Sequence, residues 1–293
     1  MKKLLFASAA LILFTGTSAL AADMPVKVPP PPPVFSWTGF YVGGNVGYSW
    51  GRASTDLTET QVNTATVTTA NGSATATATI VSAGSDRAHL NGALGGFQAG
   101  YNWQTNRYVW GIEGDIQATG ERGGVTICPV AVGVAAGPCP GPNGTLFGTA
   151  SYRLPWFGTL RGRVGVTFDR VMLYATGGLA AAEVKADYLD GFNGVATPLA
   201  AGSANATRVG WAFGGGIEGA IDRNWSIKAE YLHLDFGSID QSVQASATNS
   251  FQIADTRVTI TQNLTSAFHT RVTDDVFRLG LNYRFGGPVV AKY

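Results

Sequence analysis

The sequence predicts an all-β chain. The expected architecture is an eight-stranded, antiparallel, up-and-down transmembrane β-barrel with short periplasmic turns and long extracellular loops. Three observations predict it. The N-terminus reads as an export signal. Period-two alternation recurs in eight segments, and no second long apolar run follows the leader. Short and long connections alternate between those segments.

The leader, residues 1–21, starts with Lys2 and Lys3, continues apolar from Leu4 to Phe14 and ends on Ala19-Leu20-Ala21. A spanning helix needs roughly 20 apolar residues, so this run reads as a cleavable signal peptide rather than an anchor. Removal leaves 18 basic against 19 acidic residues. That near-neutral balance argues against nucleic acid as a partner, because phosphate binding needs a basic surface. Charged residues are 13% of the chain and glycine is 39 of 293 residues. A membrane protein without spanning helices must close its sheet, since lipid satisfies no open edge. The expected location is the bacterial outer membrane.

Residues 22–36 hold the run Pro29–Pro33, read as an extended periplasmic spacer, with contact to a cell-wall partner as the other possibility. The barrel is expected over residues 37–285 and a periplasmic tail over 286–293. The alternating segments are about 37–50, 94–105, 108–118, 156–168, 171–184, 208–221, 225–237 and 275–285. Three connections are tight and carry Asn or Asp, around Asn106, Asp169-Arg170 and Asp222-Arg223-Asn224. The other four span about 51–93, 119–155, 185–207 and 238–274. In the first and last of these, Thr alternates with Val and Ala, and Asn71-Gly72 sits mid-way in the first. They predict strands that continue beyond the membrane or hairpins above it, with an irregular loop as the alternative.

Parity within the segments sorts the charges. In residues 156–168, Leu160, Val164 and Val166 share one face and Arg161 and Arg163 the other. The same test puts Glu113, Asp115, Glu218, Lys228, Glu230, Arg278 and Arg284 on the polar face of their segments. That face is predicted to be the lumen, filled by a charged network, because an eight-stranded barrel is narrow enough for side chains to plug it. Gly43, Gly47, Gly100, Gly165 and Gly280 are expected to make room for the long side chains. A soluble ligand-carrying barrel would have the opposite polarity. Trp50, Trp103, Tyr108, Trp156, Trp211, Trp225 and Phe285 recur near segment ends, as interfacial girdles do.

Cys128 and Cys139 are the two cysteines. In an oxidising compartment a local disulfide is the favoured reading, with free thiols as the alternative. No metal-ligand spacing and no cofactor motif occurs. His233 and Asp235 form the sole candidate acid–base pair, and parity places them together on the lipid-facing side near the outer rim, so no catalytic residue is assigned.

The segments WTGFYVGGNVGYSWG, FQAGYNWQ, WGIEGDIQ, WFGTLRGRVGVTFDRVMLYATGGLA, WAFGGGIEGAIDRNWSIKAEYLHLDFG and VFRLGLNYRF together resemble the alphaproteobacterial outer-membrane β-barrel family, also labelled porin-family or opacity-like. The resemblance spans the mature chain apart from its loops. It implies an OmpA-like transmembrane barrel without a cofactor and carries over no catalytic residue. The last strand looks like the terminal signal read by barrel-assembly machinery, although GGPVVAKY follows Phe285. Expected partners are outer-membrane lipid and lipopolysaccharide, that machinery, and host, phage or other surface ligands through the loops. Three functions compete: a structural and surface protein, a small pore, and a barrel enzyme.

Overall fold

The computed structural model describes residues 35–285 apart from 132–133, 135–138, 140–145, 193 and 195–198. The expected leader, most of the Pro-rich segment and the tail lie outside the described residues. Among the described residues nine strands follow one another: β1 (Gly39–Thr69), β2 (Gly72–Thr105), β3 (Tyr108–Ile127), β4 (Val130–Ala131), β5 (Leu146–Phe168), β6 (Val171–Phe192), β7 (Ala200–Ala220), β8 (Trp225–Ile253) and β9 (Thr256–Phe285). The pairs are antiparallel, and β1 pairs with both β2 and β9, so eight long strands close a ring. The short β4 lies against Ser82 and Ala83 of β2. Among the described residues no helix is long and apolar enough to cross a membrane.

The tight turns sit where Asn and Asp tolerate a left-handed backbone. Asn106 has φ 56° and Asp169 φ 55°. In the third turn the Asp222 carboxylate accepts the backbone N–H of Asn224 and Trp225 at 2.7 and 2.8 Å.

The outward rows at membrane level are apolar and exposed, among them Val46, Phe97, Ile112, Leu160, Val164, Phe213 and Leu279. Trp50 with Tyr231 and Trp211 with His233 mark the outer rim. Phe40 with Phe285 and Trp225 with Tyr283 mark the periplasmic rim. These are the two girdles of a spanning barrel.

The strands are far longer than the 9–11 residues, roughly, that a membrane requires. The segments expected to end near residue 50 and to begin near 94 and 275 instead run on as β1, β2 and β9 without interruption. Of the two readings of residues 51–93 and 238–274, continuous strand is the observed one. The reason is local: Thr, Val and Ala alternate, and the turns fall at Ala70-Asn71 and at Ala254-Asp255, where Ala254 has φ 49°.

Above the girdle the lumen changes character. Leu57, Leu90, Ile127, Tyr152, Leu154, Val184, Tyr188, Phe236, Phe268 and Val272 form one buried apolar cluster. Here the barrel stands in water, so apolar side chains turn inward as in a soluble barrel, with Glu59, Glu121, Asp190 and Asp274 buried among them. Pairing of β7 with β8 stops at Trp211 and Asp235. A bulge at Gly237, φ +73°, turns β8 away from β7.

Candidate functional site: the lumen charge network

Four acids and four bases meet in the membrane-level lumen, and each is buried. β3 supplies Glu113 and Asp115, β5 supplies Arg161 and Arg163, β7 supplies Glu218, β8 supplies Lys228 and Glu230, and β9 supplies Arg278. They converge because each occupies an inward position of its strand and the register sets neighbours side by side. Glu113 pairs with Arg161 across β3–β5, Glu218 with Lys228 across β7–β8, and Glu230 with Arg278 across β8–β9.

Arg161 is the hub. Its guanidinium reaches Glu113 at 2.6 Å, Asp115 at 2.9 Å and Glu230 at 3.2 Å, and its Nε donates to Thr159 Oγ1 at 2.8 Å. Arg278 bridges Asp115 at 3.0 Å and Glu230 at 2.6 Å from the opposite wall. Lys228 Nζ donates to both Glu113 oxygens at 2.9 Å. Arg163 pairs with Glu218 at 3.1 Å and donates to Asn102 Oδ1 at 2.8 Å. Charge-assisted bonds of this kind satisfy groups that would be very costly if left alone in a narrow lumen.

Residues that carry no charge complete the layer. Tyr41 donates to Glu113 at 2.8 Å and Tyr174 to Glu230 at 2.9 Å, while the Arg163 guanidinium lies 4.9 and 5.2 Å from their ring centres. Gln98 links Asn45 to Asn282, and Asn282 donates to Glu218. Sequence reasoning missed these five, although their inward parity was legible, because none carries a formal charge. A side chain at Gly43 would strike Asn282, at Gly47 Arg278, at Gly100 Tyr41, at Gly165 Tyr174 and at Gly280 Gln98 and Lys228. Each of these inward glycines therefore yields its volume to a network residue or to one beside it.

Arg284 does not join the network. It sits at the periplasmic mouth, half-buried, with its guanidinium 4.4 Å from the Phe35 ring centre and bonded to the carbonyls of Ser36 and Arg223. Parity put it on the inward face correctly, but its place further along a tilted strand carries it out of reach of the acids. His233 and Asp235 do not pair either. His233 Nδ1 lies 2.7 Å from Asp275, which also accepts from Tyr231, whereas Asp235 meets Arg271 at 2.6 Å and caps Gly237 N at 2.9 Å. Asp235 lies at the edge of the bulge and is buried, so it does not share the lipid-facing side with His233 as parity predicted. Cys128 and Cys139 are joined, with Cα atoms 5.5 Å apart. Among the described residues no group of three or more potential ligands is placed to hold a metal.

The chain is 36% identical to the 31 kDa outer-membrane immunogenic protein of Brucella melitensis, across 97% of this chain and all of that one. It is 27% identical to the 22 kDa outer membrane protein of Rhizobium leguminosarum bv. viciae, across 77% and 74% of the two chains. Among solved structures, the attachment invasion locus protein Ail of Yersinia pestis aligns at 15% identity with TM-score 0.30, covering 85% of this chain and 99% of that one. The fold stands on the strand register above and not on that superposition. The model of the outer membrane protein beta-barrel domain matches residues 7–285. With a closed ring of alternating strands, two aromatic girdles and these relatives, the chain belongs to the outer membrane protein β-barrel family of alphaproteobacterial type, and its place is the bacterial outer membrane.

Proposed function

We propose that the protein is a structural and surface barrel, neither a transporter nor an enzyme. It supports the envelope and displays strands above the membrane. The observation that carries this reading is the double closure of the lumen. Eight charges neutralise one another at membrane level, and a packed layer of apolar side chains, with Glu59, Glu121, Asp190 and Asp274 buried among them, fills the space above. At the periplasmic mouth the cavity beside Tyr41 and Glu218 has a volume of about 10 Å³, about the room one water needs. On this reading His233, held between Asp275 and Trp211 at the lipid boundary, is an interfacial residue. The Brucella relative is an outer-membrane immunogenic protein, which supports display of the outer strands. Partners on this reading are outer-membrane lipid and lipopolysaccharide, the assembly machinery through β9, and surface ligands at the tips.

Single-channel recording of the refolded mature chain in a planar bilayer tests the reading. Silence is expected. Steady conductance that shifts when Arg161 or Arg163 is neutralised would overturn it and make the network the gate of a small pore.

A further inference from the structure

Among the described residues, four strands continue upward beyond the ends of the other four. β1 pairs with β2 to Thr69, and β9 pairs with β1 to Arg257, while β8 follows β9 to Ile253. By contrast, among the described residues β5, β6 and β7 reach residues 146, 192 and 200. The result is a four-stranded sheet in the order β8-β9-β1-β2. Its rows are continuous: Phe251, Val258, Val67 and Ala74 share one, and Asn249, Ile260, Ala65 and Ala76 another.

Both outer strands end as long edges. Side chains from Ser246 to Ile253 of β8 and from Gly72 to Val81 of β2 are exposed. Among the described residues β4 covers the β2 edge at Ser82 and Ala83 alone, and above that point neither edge is covered. Residues 72–85 and 241–253 contain no Lys, Arg, Asp, Glu or Pro. Natural proteins guard open edges with charge, proline or a bulge, so an unguarded pair of this length is built to be covered.

We propose that each edge is covered by the other edge of a neighbouring copy in the same membrane. The membrane holds every copy upright. β8 then rises and β2 descends at the same height, which is the antiparallel arrangement that two edges need. The sidedness matches as well. One face of the sheet carries Ser–Thr ladders, Thr66 to Thr75 at 3.0 Å and Ser250 to Thr259 at 2.9 Å, and the other carries Ala65, Val67, Ile260 and Phe251. Joining β8 to the next β2 keeps the ladders on one face and the apolar rows on the other. The spacing fits too. Four strands about 4.8 Å apart, tilted about 40°, repeat every ~25 Å along the membrane. An eight-stranded barrel of the same spacing and tilt, with about 10 Å for packed side chains, needs about 26 Å. Such a contact is head-to-tail and generates open rows of barrels. It rests on the outer-membrane location and not on whether the lumen conducts.

The test is disulfide trapping in intact outer membranes. One of Ser246, Thr248 and Ser250, which share the ladder face of β8, is replaced by Cys. It is combined with Cys at Ser73, Thr75, Thr77 or Thr79 on the same face of β2. Within one chain β8 and β2 are separated by two strands, about 14 Å, too far for a disulfide. Any link between the introduced cysteines therefore joins two copies. The expected result is a ladder of oligomers from double variants on one register only. If Thr248→Cys links to Thr77→Cys, then Ser250→Cys must link to Thr75→Cys. Single variants should stay monomeric, and unheated samples should keep the mobility of folded barrel. Dimers from a single variant would mean a two-fold contact and overturn the head-to-tail row. No link in any folded double variant would overturn the proposal outright, leaving the edges to a different extended partner.

Discussion

At the residue scale, the lumen shows how costly polar side chains become acceptable inside a membrane protein. Arg161 touches three acids, so Arg161→Met strands part of the charge on each. Loss of one partner from a buried pair costs roughly 3–5 kcal/mol, and urea unfolding in lipid vesicles should show a loss of that order. Adding Asp115→Asn should bring a smaller further loss than Asp115→Asn causes alone, because the two residues share one network. Above the girdle, Asp274 is buried beside Glu121, and burial first, then the Glu121 charge, pushes its carboxyl up to about 9. Burial, with Asp190 near it, pushes Glu59 up to about 8. An unfolded chain releases these protons near ordinary carboxyl values, so between there and pH 8–9 the folded state holds more protons. Stability from these groups is therefore full in acid and falls as pH rises through that window. Asp274→Asn should flatten the slope, with the gain over the parent chain largest above about pH 9 and small near ordinary carboxyl values. Equal gains at both ends of the window would contradict the assignment.

At the element scale, strands of 20 to 34 residues do two jobs. Their lower parts face lipid and their upper parts build a water-standing barrel and a sheet. The two upper parts differ in what they bury. Phe268 lies in the apolar cluster, against Tyr188 at 4.5 Å between ring centres. Phe268→Ala should cost about 3–5 kcal/mol through the cavity it leaves. The tip of the β1–β2 hairpin, residues 64–77, buries no large side chain. Replacing it by a tight turn should leave the thermal midpoint of the barrel almost unchanged, measured by circular dichroism. The alternation that marked these tips was legible in the sequence. That they would be strands and not loops was less so, because Thr-rich alternation also suits irregular polar chain. Pairing depends on a partner strand far away along the chain, as in Thr66 with Thr259.

At the scale of the whole molecule, two stacked seals of opposite chemistry close one tube. Neutralising Arg161 and Arg163 together should leave planar bilayers silent, because the apolar layer above remains. Emptying that layer as well, with Tyr188→Ala and Phe268→Ala, should give small conductance steps. Conductance from the charge variant alone would show that the upper layer does not seal.

Sequence by itself determined the compartment, the eight-strand count, the sidedness of each membrane segment and the inward set Glu113, Asp115, Arg161, Arg163, Glu218, Lys228, Glu230 and Arg278. It could do so because lipid on one side and a filled lumen on the other impose strict alternation over every spanning strand. Only the tertiary structure decided which charges meet, that Arg284 stands apart, that His233 turns to Asp275, and that the lumen becomes apolar above the girdle. Those outcomes depend on register, tilt and bulges between strands distant along the chain, and alternation within one strand carries no information about its height against the next.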